Sequence, residues 1–201
     1  NPEVAASLFD DTLSIRFGAI KREWGPGLNN LGLSGSARTF DGFEMNLNPT
    51  SWFSLSVLTG SLGKSFLPLK GEASPVGDAE LHLNAYDNNF SIQRVEIEPF
   101  SGFRVAIYES VVWRKRFELA YLNPLCIYMF AQNYIGDFDN VLAGVDFSYT
   151  WNGIGRFYGA MALDEFNSLN GGKVISASRN IIALQAGMEV AVPFGAFGKM
   201  T

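Results

Sequence analysis

The feature that most constrains this chain is a period-two alternation of apolar and polar residues that recurs in paired runs. Phe43, Met45 and Leu47 alternate with Glu44 and Asn46, and Phe53, Leu55 and Val57 alternate with Ser54 and Ser56. Successive side chains on a strand point to opposite faces, so each run reads as a strand with one apolar and one polar face. Read as a five-residue loop, the turn-rich stretch Asn48–Trp52 sets Leu47 opposite Phe53, Asn46 opposite Ser54 and Glu44 opposite Ser56. The pattern returns at Val95 and Ile97, alternating with Arg94, Glu96 and Glu98, and at Phe103, Val105 and Ile107, alternating with Arg104 and Ala106. The loop Glu98–Gly102 then sets Ile97 opposite Phe103 and Glu96 opposite Arg104, a favourable charge pair. A third unit carries Val141, Ala143, Val145, Phe147 and Tyr149 on one face. Its turn, Asn152-Gly153-Ile154, is a strong hairpin signal, and Phe157, Met161 and Leu163 return on the same side. With an earlier strand in Thr12–Ile20 and a weaker unit turning near Pro193-Phe194-Gly195, the alternation gives about nine strands.

The connections between these hairpins differ from the turns within them. Gly60–Asp87 is long and holds Gly63, Pro68, Gly71, Pro75 and Gly77; Lys115–Asp139 is long, with a helical turn expected around Pro124–Asn133; Asn167–Lys173 is rich in Gly and Asn. Short turns at one end, long loops at the other and alternating strands are the signature of an outer-membrane barrel. Composition agrees: 47% hydrophobic and 14% aromatic with only 17% charged residues, against about 25% charged in soluble domains. No run approaches the ~20 apolar residues of a membrane-spanning helix, so any crossing falls to strands. Trp52, Phe53, Phe103, Trp113, Tyr149, Trp151 and Phe157 lie near strand ends, where interfacial aromatic girdles sit. The expectation is an all-β, antiparallel up-and-down transmembrane β-barrel, residues 1–201 forming one segment incomplete at both ends. The chain does not begin with Met and shows no signal peptide, and so reads as an internal or processed piece. A soluble β-sandwich or lipocalin-like barrel also alternates and stays open at this point.

Catalytic patterns are thin. His82, the only histidine, sits in an alternating stretch, and no Gly-x-Ser-x-Gly elbow surrounds any serine. Asp137, Asp139 and Asn140 lack the rest of a calcium loop. Asp164 and the adjacent Glu165 point to opposite faces, and Glu96 and Glu98 neighbour Arg94 and Arg104, a charge ladder rather than an acid–base dyad. Cys126 is the only cysteine, which excludes a disulfide framework and a thiolate cluster. A net charge of −5 argues against nucleic acid as a partner. The chain is therefore expected to be non-enzymatic and to need no cofactor or metal. Arg16, Glu44, Glu96, Arg104, Glu109 and Asp146 would line a polar lumen of mixed sign, able to bind glycan hydroxyls or to solvate a pore. Trp24, in the rigid turn Trp24-Gly25-Pro26-Gly27, is a candidate sugar platform or an anchoring side chain.

Four segments resemble the capsule-assembly family called Wzi, in its broad form. They are Trp24–Asn30 with Leu31-Gly32-Leu33-Ser34; Arg94–Phe100 with Glu109 on the next strand; Phe117–Leu125, whose Leu122-Asn123-Pro124 is the most specific piece; and Asp139–Phe147. Order and spacing match over most of Lys21–Phe166, as in a central portion of such a protein. The resemblance implies an outer-membrane barrel that helps attach or assemble surface polysaccharide, with lipid and glycan as partners and no catalysis. It assigns no glycan-contact residues. A porin-like channel, with Lys115–Asp139 folded inward as a constriction, is the alternative, and a secreted soluble β-protein is a third.

Overall fold

The computed structural model describes residues 2–66, 85–114, 116–135, 139–164, 181–190, 192–193 and 199–200. They form an antiparallel sheet of nine strands in chain order: β1 (Glu3–Leu8), β2 (Leu13–Ile20), β3 (Phe40–Thr50), β4 (Phe53–Phe66), β5 (Ala85–Phe100), β6 (Phe103–Arg114), β7 (Asn140–Trp151), β8 (Gly155–Asp164) and β9 (Ile181–Val190). The all-β, up-and-down expectation holds. The sheet is not closed: β1 and β9 are its two edges. A separate two-stranded ladder pairs β10 (Val192–Pro193) with β11 (Lys199–Met200). No described helix is long and apolar enough to cross a membrane. His82, Asp137, Glu165, the stretch Asn167–Lys173 and the turn residues Phe194 and Gly195 lie outside the described residues.

The hairpin ends are tighter than five-residue loops. Thr50 pairs Phe53 and Phe100 pairs Phe103, leaving two-residue turns, and a register shift separates each pair from Leu47↔Leu55 and Ile97↔Val105. Pro49 and Pro99 fall inside these bulges, where a residue without an N–H costs the ladder nothing. At the second turn Gly102 takes φ +84, open to glycine at little cost. The two-residue turn and the one-residue bulge together move each partner two positions from the five-residue-loop expectation, so Glu44 faces Leu58 and Glu96 faces Ala106. A shift of two leaves every side chain on its expected face. The third hairpin turns at residues 152–154 as expected, with Trp151 opposite Gly155. β1 is an addition, and β4 and β5 run well into the stretch expected to be the Gly60–Asp87 loop.

The alternation sorts the sheet into an apolar and an ion-paired face. The apolar face carries Phe43, Ile107, Phe147, Phe157, Leu184 and Met188, all exposed, Ile107 to 65% and Leu184 to 76%. The opposite face carries Glu44, Arg94, Tyr108 and Asp146, all in register across β3 to β7. Two long connections pack on opposite faces. Residues 21–39 lie on the ion-paired face, where Leu33 and Trp24 pack on Ile20, Phe40, Leu58 and Ile92. Ile20, Leu58 and Ile92 are fully buried there, each contributing about 1.5–3 kcal/mol. The connection after β6 holds a short 3-10 helix (Leu119–Leu122) and α1 (Tyr128–Ile135). It covers the loop end of the apolar face, packing Tyr121, Tyr128 and Ala131 on Val111 and Trp113. Trp113 is therefore buried under this cap and is not a girdle residue, and the segment folding over the polar side is 21–39 rather than 115–139.

Candidate functional site

Five of the seven residues singled out from sequence share the ion-paired face, because β-register places Arg16, Glu44, Glu96, Arg104 and Asp146 on one side of β2, β3, β5, β6 and β7. They form two networks. In the first, Arg94 holds Asp146 through both guanidinium nitrogens, Nη2 to Oδ1 at 2.9 Å, and reaches Glu96 at 2.9 Å. Arg104 extends it to Glu98 at 3.2 Å and to Glu96 at 3.8 Å. Burial deepens along the chain of charges: the Arg104 side chain is 59% exposed, Arg94 10% and Asp146 5%. Each carboxylate of this network is engaged by a guanidinium.

The second network lies nearer β1. Arg16 and Glu44 are cross-strand partners, yet their ion pairs go elsewhere: Arg16 to Glu3 at 3.5 Å, and Glu44 to Arg22 at 2.9 Å. Arg22 also reaches Glu3 at 2.5 Å and so ties the start of residues 21–39 to the sheet. That segment is built around Asn30, which is buried. Its Oδ1 accepts from Gly27 N at 2.7 Å, and its Nδ2 donates to Gly27 O at 2.7 Å and Glu23 Oε1 at 3.1 Å. Trp24 N donates to Leu33 O at 2.9 Å. Trp24 is half-buried against Leu33 and its neighbours, an anchoring side chain.

From there the segment crosses to the far strands. Arg156 on β8 donates to Pro26 O at 2.6 Å, and Gln185 on β9 donates to Leu28 O at 2.9 Å. Two tyrosines seat it by close approach. A Cβ at Gly32 would lie 3.1 Å from Tyr108 Cε2, and one at Gly27 would lie 2.5 Å from Tyr158 Cε2. Each ring also covers a cross-strand glycine, Tyr108 over Gly144 and Tyr158 over Gly187. Only glycine permits this Gly–Tyr–Gly stacking.

Glu109 stands apart. It shares the parity of Ile107 and Val111, so it lies on the apolar face under the cap. There it accepts from Tyr128 N at 2.8 Å, at the start of α1, and from Gln93 Nε2. Sequence reasoning missed Arg22, Asn30 and Tyr108. Tyr108 and its glycine partner were visible only through register, and Asn30 only through the turn it closes.

At the turn end of the ion-paired face a cavity of about 270 Å³ opens beside Trp52, Ser54, Glu96, Glu98 and Arg104. It offers carboxylates, a guanidinium, a hydroxyl and an exposed indole, the groups that hydrogen-bond and stack on polyhydroxylated ligands. Among the described residues no three His, Cys, Asp or Glu side chains gather as a metal site. No family model, curated protein or solved structure matches the chain.

Proposed function

We propose that the chain is part of an outer-membrane β-barrel that binds surface polysaccharide without catalysis, as the Wzi resemblance implies. The observation that carries the reading is the two-sidedness of the sheet. Phe17, Ile107, Leu184 and Met188 stand 62–76% exposed on one face, while Arg94 and Asp146 are paired on the other. Water penalises such an apolar expanse on a soluble monomer, whereas hydrocarbon accepts it. On this reading the ion-paired face lines the lumen, and the sheet closes with further strands at β1 and β9, since open edges are not tolerated in lipid. Residues 21–39, lying across that face from β5 to β9, favour binding over an open pore.

Retention on immobilised surface polysaccharide from the source cells tests the binding role. The intact protein is expected to be retained, and Trp52→Ala and Arg104→Ala to weaken retention. Absence of retention, together with a steady large current in planar bilayers, would overturn binding in favour of a channel.

A further inference from the structure

We infer that the connection between β6 and β7 is a lipid-facing collar that completes the apolar belt and supplies its second aromatic girdle. This rests on the barrel reading above and adds a membrane contact outside the strands.

Without the cap, the apolar face is too short on β4, β5 and β6. On β6 the apolar row runs from Phe103 to Ile107 and meets Glu109. Four residue steps of ~3.4 Å, tilted ~40°, span only about 10 Å of a belt that needs ~25 Å. On β5 the row gives way to Gln93, Ser91 and Asn89, and on β4 to Thr59 and Ser61. On β7 the row is longer: Val141, Ala143, Val145, Phe147 and Tyr149 run unbroken for about 21 Å by the same measure, with Val141 at its end packed against the cap.

The cap sits on this deficit. Ser91 shares hydrogen bonds of 2.7 Å with Tyr128 Oη and with Thr59 Oγ1. Gln93 Nε2 donates to Cys126 O at 2.6 Å, and Glu109 receives Tyr128 N. Ser91, the Gln93 amide nitrogen and Glu109 thus find partners on the cap, as hydrocarbon favours, while Gln93 Oε1 is left without one. The outward side of the cap is apolar. Of the seven exposed residues with described side chains in 116–135, six are Phe117, Leu119, Leu125, Ile127, Phe130 and Tyr134; the seventh is Asn123. Among the described residues its charges pair with one another, Arg116 with Glu118 at 3.4 Å and also with Asp139. Carried up to Trp113, the covered row on β6 spans about 26 Å. The aromatic rows also fall into place: Phe100, Tyr149 and Trp151 are exposed at the turn end, and Phe117, Phe130 and Tyr134 on the cap at the other.

The test places single nitroxide labels in the full-length protein, in a Cys126→Ser background, reconstituted into phosphatidylethanolamine–phosphatidylglycerol vesicles. Phe130→Cys and Tyr134→Cys report on the cap, Leu184→Cys on the sheet's apolar face, and Asn152→Cys on a turn in water. All four sites are exposed, so the labels displace no packing, and far-UV circular dichroism verifies the sheet. The readout is collision with oxygen relative to a water-soluble nickel chelate. Both cap labels are expected to shift toward oxygen as Leu184 does, and away from Asn152. Cap labels that match Asn152 while Leu184 reports lipid would overturn the collar and leave the barrel standing. Leu184 matching Asn152 would overturn the barrel reading and the collar with it.

Discussion

Removing one partner of the Arg94–Asp146 pair should destabilise the sheet by more than any exposed charge change can. Arg94 is 10% and Asp146 5% exposed, and two guanidinium nitrogens reach the carboxylate. Breaking such a pair from one side costs about 3–5 kcal/mol, because a desolvated charge is left behind. The two single changes should differ. In Asp146→Ala, Arg94 keeps Glu96 at 2.9 Å, so the loss falls near the lower bound. In Arg94→Met, Asp146 loses the one ion-pair partner it has among the described residues, and the loss approaches the upper bound. The double variant removes both charges and should be less destabilised than the sum of the singles, by at least about 2 kcal/mol. Guanidinium unfolding of the detergent-solubilised protein, followed by tryptophan fluorescence, measures all four corners of the cycle. Single losses below about 1 kcal/mol, with additive behaviour, would refute the reasoning and mean that water screens the pair as it does at a surface.

Other parts of the structure carry further expectations. Gly27→Ala drives a Cβ to 2.5 Å from Tyr158, whose ring is already backed by Gly187. The cost is about 1–3 kcal/mol, and residues 21–39 should loosen, seen as faster tryptic cleavage after Lys21, Arg22 or Arg38; unchanged cleavage would count against the stacking. Glu109→Ala removes the acceptor at the start of α1 and should cost about 1 kcal/mol, with Glu109→Gln milder; equal stability of both variants to wild type would show that the cap does not lean on this residue.

The faces of the sheet were legible because alternation is a property of neighbouring residues. Phe43, Met45 and Leu47 announce their side whatever they pair with. Register was not, since a tighter turn with a bulge at Pro49 or Pro99 moves partners by two from the five-residue loop and leaves the hydrophobic pattern unchanged. The same limit explains the charge network. Glu96 and Arg104 were expected directly opposite one another; the register sets Ala106 opposite Glu96 and leaves Arg104 a 3.8 Å ion pair with it, while Arg94 takes the central place through Asp146, a partner 52 residues away. Glu109 shows the reverse. It was expected in the polar lumen, yet its parity with Ile107 sets it on the apolar side, and nothing local revealed the cap that makes a carboxylate tolerable there. Trp113 misled for the same reason: an aromatic near a strand end looks alike whether lipid or Tyr121 covers it. The anchoring of residues 21–39 depends on Arg156 and Gln185, contacts more than a hundred residues distant, and so lay beyond any local pattern.

The central claim is that the exposed apolar face meets lipid. Fractionating the cells that make the protein, then comparing heated and unheated samples on a denaturing gel, tests it most directly. The account predicts recovery in the outer-membrane fraction, with a band whose mobility shifts on heating as a folded barrel opens. Recovery in a soluble fraction without detergent, with no heat-dependent shift, would contradict it.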